Sequence, residues 1–137
     1  TDRMAERLLR KSVRECFEQD GEDALRNAET EVLRRLQDEK SLLVSCGGGI
    51  VERKCNCVLM HEMGVIVYLD GDLSDSLRQI QHPEKRPDFN LADVQELYKR
   101  RRPLFKESAD YIINIRDKDF GQVAEESGCL LWEEGLL

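Results

Sequence analysis

The sequence predicts an α/β fold in which a parallel sheet is covered by helices on both faces. Three observations predict it. Short apolar runs at Leu42-Leu43-Val44, at 65–69 and at 111–115 alternate with segments of helical periodicity. Strands separated by helix-length segments need crossover connections, which make the strands parallel. The runs are continuous rather than alternately apolar and polar, the pattern of strands buried on both faces.

The elements follow in chain order. Ala5, Leu8 and Leu9 lie at helical spacing within 2–10. Ser12 followed by Glu15 is a capping box that opens a short helix, turning Val13, Cys16 and Phe17 inward. Gly21 ends it, as a residue free to take positive φ does. In the strongest helix, Leu25, Ala28, Val32, Leu33 and Leu36 share one face while Arg and Glu fill the other. Leu42-Leu43-Val44, stopped by Gly47-Gly48-Gly49, reads as the first strand. Val58, Leu59 and Met60 give a helix ending near Gly64, 65–69 the second strand, and Leu73, Leu77 and Ile80 the helix after it. Pro83 and Pro87 make 82–90 a loop. Leu91, Val94, Leu97 and Tyr98 mark a helix that ends in the basic run Lys99-Arg100-Arg101-Arg102 and Pro103. The third strand is 111–115, and Phe120, Val123 and Ala124 begin the last helix.

With 137 residues, 40% hydrophobic and 36% charged, the chain has the size and composition of one domain with one core. No apolar run is long enough to cross a bilayer and no signal-peptide pattern opens the chain, so no membrane partner is expected. A net charge of −7 argues against a duplex nucleic-acid partner. Five cysteines without a Cys-x-x-Cys spacing fit free thiols in a reducing, cytoplasmic setting. Cys55-Asn56-Cys57 has the spacing of a soft-metal ligand pair but no second pair beside it, so no metal site is assigned.

Chemistry is expected at the carboxyl ends of the strands, where ligands bind in open parallel sheets. Gly47-Gly48-Gly49 and Asp70 stand at such ends. Three glycines let a backbone approach an oxygen-rich ligand closely, or make only a tight turn. Arg26 and Glu29, one helical turn apart, are either a steadied guanidinium fork for a carboxylate or a solvated surface pair worth a few tenths of a kcal/mol. Cations suit a helix C-terminus, so most of the run Lys99-Arg100-Arg101-Arg102 is open to simple solvation. His61 and His82 are read as surface or packing residues.

Together these features carry a resemblance. Asp2, the series Phe17-x-x-x-Gly21-Glu22-x-x-x-Arg26-x-x-Glu29, Cys46-Gly47-Gly48-Gly49-x-Val51, Val67-Tyr68-Leu69-Asp70, Arg86-Pro87 and Arg101-x-Pro103-Leu104-Phe105 with Ala109-Asp110 stand in one order. That order and spacing resemble shikimate kinase from Thr1 to about Asp119. The resemblance implies a P-loop kinase fold of three α/β/α layers. It implies ATP- and Mg²⁺-dependent phosphorylation of the 3-hydroxyl of shikimate in aromatic amino-acid biosynthesis. It also implies the roles of residues. Asp2 holds the shikimate hydroxyls and helps take the proton, and Arg26 and Arg101 clamp the carboxylate. Gly47, Gly48 and Gly49 touch the hydroxyl side, and Arg86, on a lid, reaches the transferring phosphate. The domain 1–137 then divides into a shikimate-binding part at about 2–37, a central sheet at 42–81, a lid at about 82–90 and a C-terminal part at 91–137.

The sequence also departs from that family. It carries no G-x-x-x-x-G-K-[ST] motif, and the strand–loop–helix unit that would hold one, roughly 30 residues, is missing. Residues 1–137 alone are therefore expected to be inactive, lacking the Lys and amides that cradle the β- and γ-phosphates. The lid is short, Asp88-Phe89 follows Arg86-Pro87, and Gln79 or Arg78 stands where an adenine-facing arginine is expected. A shikimate-binding or regulatory domain that has lost its nucleotide site is the alternative reading. A gluconate-type kinase fits less well, because it does not share the Arg26/Glu29, triple-glycine and Arg101 set.

Overall fold

The computed structural model of the protein describes residues 1–74 and 91–137. Helix α1 (Asp2–Leu9) buries Ala5, and the chain leaves it through Arg10 in the left-handed region at φ 54°. Helix α2 (Val13–Asp20) starts on the expected capping box. Ser12 Oγ accepts from the Glu15 amide at 3.1 Å, and Glu15 Oε2 accepts from the Ser12 amide at 2.8 Å. Gly21, at φ 87°, ends α2 by donating to the Cys16 carbonyl at 3.1 Å, and α3 (Glu22–Leu36) begins at the next residue. One glycine thus turns the chain between two helices. Ala28 and Val32 of α3 close a small core with Ala5, bordered by Met4, Leu8, Leu9 and Leu36.

Residues 42–47 depart from the expectation. They form no strand, and Leu43 is 95% exposed. An apolar run becomes a strand only beside a ladder partner, and among the described residues none pairs with this one. The segment leads into a 3₁₀ turn over Gly48–Glu52 and then α4 (Lys54–Met63), which ends at Gly64 as expected. Leu33 of α3 packs on Ile50 and Val51 of the turn, with Leu59, Met60 and Met63 of α4 around them.

Strand β1 (Val67–Asp70) pairs in parallel with β2 (Tyr111–Asn114), Val67 lying opposite Tyr111 and Asp70 opposite Asn114. Between them runs α5 (Leu91–Ser108), which is longer than the sequence suggests because Pro103 lies inside it. Leu104 and Phe105 join the Leu33–Ile50–Val51 cluster, and Ser108 Oγ donates to the Leu104 carbonyl at 2.7 Å. Burial of that last stretch outweighs the N–H that proline removes. Helix α6 (Phe120–Glu133) opens on a second capping box, Asp119 with Gln122.

Strand alternation sends Tyr68 and Asp70 to one face of β1 and Val67 and Leu69 to the other. Tyr68 stacks on Phe105 of α5 with ring centroids 5.1 Å apart. On the opposite face Val67 joins Ile113, Ile115 and α6 residues Val123 and Leu130. Helices therefore cover both faces of a parallel sheet, the predicted fold class. Leu73 and Ser74 begin the helix expected after β1. Leu77, Ile80 and the loop 82–90 lie outside the described residues. Among the described residues no helix is long and apolar enough to cross a membrane.

Candidate functional site

Three distant segments meet at Gly47-Gly48-Gly49. A Cβ on Gly47 would stand 2.4 Å from Asp2 Oδ1, and one on Gly49 only 2.0 Å from Arg26 Nη1. At Gly48 it would stand 3.7 Å from Arg101 Nη1 and 3.5 Å from Phe105 Cζ. Gly47 has φ −70° and ψ 153°, a conformation open to any residue. At Gly47 and Gly49 space, rather than backbone freedom, is what excludes a side chain. Each glycine faces a different member of the predicted set: Asp2, Arg101 and Arg26.

Arg26 and Glu29 are not a solvated surface pair. Their side chains are 6% and 7% exposed, and Arg26 Nη1 donates to both Glu29 oxygens at 2.9 and 3.0 Å. Glu22 Oε1 accepts from Arg26 Nε at 3.3 Å and from Nη2 at 3.1 Å. Burial works against the charge on Arg26, but Glu29 and Glu22 more than offset it and raise its pKa. Burial also pushes the Glu29 carboxyl up, against the pull of Arg26.

The turn that carries the glycines is pinned to α3 by a buried amide. Asn56 Nδ2 donates to the Ile50 carbonyl at 3.0 Å, and its Oδ1 accepts from Thr30 Oγ1 at 2.7 Å. Asp2 lies against Gly47 next to Thr1, which is tied to the same segment. The Gly47 amide donates to Thr1 Oγ1 at 3.2 Å.

The basic run sits inside α5 rather than at its end, and three of its members are engaged. Arg101 Nε and Arg100 Nη2 both donate to Glu52 Oε1, at 2.5 and 2.7 Å. Burial raises the Glu52 carboxyl, but Arg101 and Arg100 outweigh it and hold the group below its ordinary value. Arg102 forks onto Asp70 with Nε–Oδ1 and Nη2–Oδ2 both at 3.1 Å, and Tyr68 donates to Asp70 Oδ1 at 3.0 Å. Asp70, a candidate ligand position by its place at a strand end, instead fastens β1 to α5.

Arg86, His82 and the adenine-facing positions Arg78 and Gln79 lie outside the described residues. His61 is exposed, 3.9 Å from Asp110 Oδ1 and remote in sequence from the glycines. All five cysteines are free thiols. Among the described residues no cluster of His, Cys, Asp and Glu is arranged to hold a metal ion. With no Gly-Lys phosphate loop in the sequence, these residues do not by themselves fit a nucleotide phosphate chain or its magnesium. Two residues of the site, Glu52 and Asn56, went unnoticed in the sequence. Glu52 stands three positions after Gly49, but its partners lie 48 and 49 residues away. Asn56 sits inside the Cys-x-Cys, where nothing marks it as buried.

A family model for shikimate kinase matches residues 1–129. A shikimate kinase of Dictyoglomus turgidum is 31% identical over 131 residues, covering 91% of this chain and 76% of its own length. For that of Caldanaerobacter subterraneus the identity is 33% over 130 residues, with coverages of 92% and 75%. For that of Prochlorococcus marinus strain NATL2A it is 32% over 129 residues, with coverages of 90% and 64%. The chain thus spans about two thirds to three quarters of these relatives. Among solved structures, a shikimate kinase from Acinetobacter baumannii in complex with shikimate superposes with a TM-score of 0.83 at 28% identity, covering 95% of this chain and 73% of that one. The Aquifex aeolicus shikimate kinase gives 0.79 at 25% identity, covering 98% and 80%.

Proposed function

The chain belongs to the shikimate kinase family, and from that premise we propose that the protein transfers the γ-phosphoryl group of ATP to the 3-hydroxyl of shikimate. The observation that carries the proposal is the meeting of Asp2, Arg26 and Arg101 on one run of three glycines. Shikimate offers one carboxylate and three hydroxyls. Two guanidinium groups answer the carboxylate, and the Asp2 carboxylate accepts hydrogen bonds from hydroxyls. Asp2 is also the group that takes the proton from the attacking hydroxyl as its bond to phosphorus forms. Gly47 and Gly49 leave room for Asp2 and Arg26 against the backbone, so the substrate is gripped between side chains that are themselves braced. The neighbouring Acinetobacter baumannii structure, described as a complex with shikimate, supports this choice of ligand.

Phosphoryl transfer adds a demand these contacts do not meet, which is positive charge and amides around the β- and γ-phosphates. No G-x-x-x-x-G-K-[ST] segment among the 137 residues answers that demand. Arg86 enters on the resemblance alone. A binding domain without chemistry would share the same shikimate contacts, and family membership weighs against it.

The test is ³¹P NMR of the protein with MgATP and shikimate, with gluconate as the control acceptor. The expected result is shikimate 3-phosphate from a protein joining these residues to a G-x-x-x-x-G-K-[ST] segment, and none from residues 1–137 alone. Phosphorylation of gluconate in preference to shikimate would reject the reading, and ATP-independent shikimate binding with no turnover in the joined protein would favour the binding domain.

A further inference from the structure

We infer that Glu52 is a positioning residue that aims Arg101 at the substrate carboxylate. The inference rests on the proposed function for the role of Arg101, and goes beyond it in naming what holds that arginine. An arginine side chain carries about 2 kcal/mol of rotamer entropy, so one that must meet a ligand in a fixed geometry gains from being held beforehand. Glu52 holds Arg101 by the Nε–H, through a 2.5 Å contact to one carboxylate oxygen. Neither Nη of Arg101 has a hydrogen-bond partner among the described residues, and Nη1 is the atom nearest Gly48 after Phe105. The bond to Glu52 therefore leaves the end of the guanidinium fork available on the side where the triple glycine lies.

The brace and the glycines belong to one element, since Glu52 is the last residue of the 3₁₀ turn that begins at Gly48. A shift of that turn moves the backbone and the arginine together. Arg101 and Glu52 are 12% and 15% exposed, so the link is sheltered from solvent. Charge is also balanced. A lone Glu52–Arg101 pair would be neutral and would offer an anion little. Arg100, 60% exposed, donates to the same Glu52 oxygen at 2.7 Å and restores one net positive charge to the group.

The experiment is isothermal titration with shikimate of the wild type and of Glu52→Ala, Glu52→Gln, Glu52→Asp and Arg101→Ala, with a thermal melt of each. Glu52→Ala is expected to raise Kd about tenfold. Glu52→Gln keeps an oxygen that accepts from Nε and is expected to stay within about threefold of wild type. Glu52→Asp keeps the charge but draws the oxygen back by one methylene; it serves if Glu52→Ala does not fold, and its Kd is expected to rise at an unchanged melting temperature. A slowly exchanging Arg101 Nε–H resonance in ¹⁵N NMR is expected in the wild type and Glu52→Gln, and is expected to be lost in Glu52→Ala. A wild-type Kd in Glu52→Ala or Glu52→Asp, while Arg101→Ala binds weakly, would overturn the positioning role and leave the proposed function standing. A wild type that does not bind shikimate would overturn both.

Discussion

Gly49→Ala is the most exacting test of the packing around Arg26. The new methyl carbon would stand 2.0 Å from Arg26 Nη1, where ordinary contact begins at 3.4 Å, so the guanidinium must retreat by about 1.4 Å. Nη1 is the atom that donates to both oxygens of Glu29, at 2.9 and 3.0 Å. Glu29 is as buried as its partner and cannot swing into water to follow. Overpacking of this kind costs about 1–3 kcal/mol, and parting a buried ion pair costs about 3–5 kcal/mol. An expected loss near 3 kcal/mol corresponds to a melting temperature lower by about 10 °C for a domain of this size. Gly48→Ala is the internal control. Its methyl would meet Phe105 and Arg101 at 3.5 and 3.7 Å, an ordinary contact, and is expected to change stability by about 0.5 kcal/mol or less. Differential scanning calorimetry of the two variants gives the comparison. A Gly49→Ala protein that melts with the wild type would refute the crowding argument, as would equal losses in both.

Other perturbations follow from the same contacts. Asn56→Ala leaves the Ile50 carbonyl without its side-chain donor in a buried place, while the Thr30 hydroxyl keeps the Arg26 carbonyl at 2.9 Å as its acceptor, and is expected to cost about 1–3 kcal/mol in urea unfolding; a loss below about 1 kcal/mol would show that water replaces the amide. Asp70 sets a pH dependence. Burial raises its carboxyl, but Arg102, Tyr68 and Lys106 bring it below its ordinary value of 3.8. A carboxyl depressed in the folded state contributes stability that is present above the unfolded value and lost as pH falls through the folded one. The wild type is therefore expected to lose stability below about pH 4, and Asp70→Asn to be less stable at pH 7 with a flatter profile in that range. Parallel acid-unfolding curves for the two proteins would place the titration elsewhere.

Most of the helical framework was legible because its signals are local. Ser12 with Glu15, Gly21, and the apolar face from Leu25 to Leu36 each report on residues within a few positions of themselves. Leu42-Leu43-Val44 misled because a strand is defined by a partner that composition does not reveal. Pro103 misled in the opposite direction, since the packing of Leu104 and Phe105 carries α5 through it to Ser108. At the site, Arg26 and Glu29 were legible as a pair through their spacing, but their burial depends on the glycine turn that folds back over α3. Asp2, Arg26, the glycines and Arg101 were recognised through their order along the chain. Glu52 was missed because a brace between segments 49 residues apart has no spacing to betray it.

The measurement that bears most directly on the shikimate site is a calorimetric titration of shikimate, with its methyl ester as the uncharged control, against wild type, Arg26→Ala and Arg101→Ala. The expected result is one saturable site for shikimate and much weaker binding of the ester. Either arginine variant is expected to lose about 2–4 kcal/mol, a rise in Kd of about 30- to 700-fold. Equal affinity for acid and ester, or wild-type affinity in both arginine variants, would contradict the assignment of Arg26 and Arg101 to the substrate carboxylate.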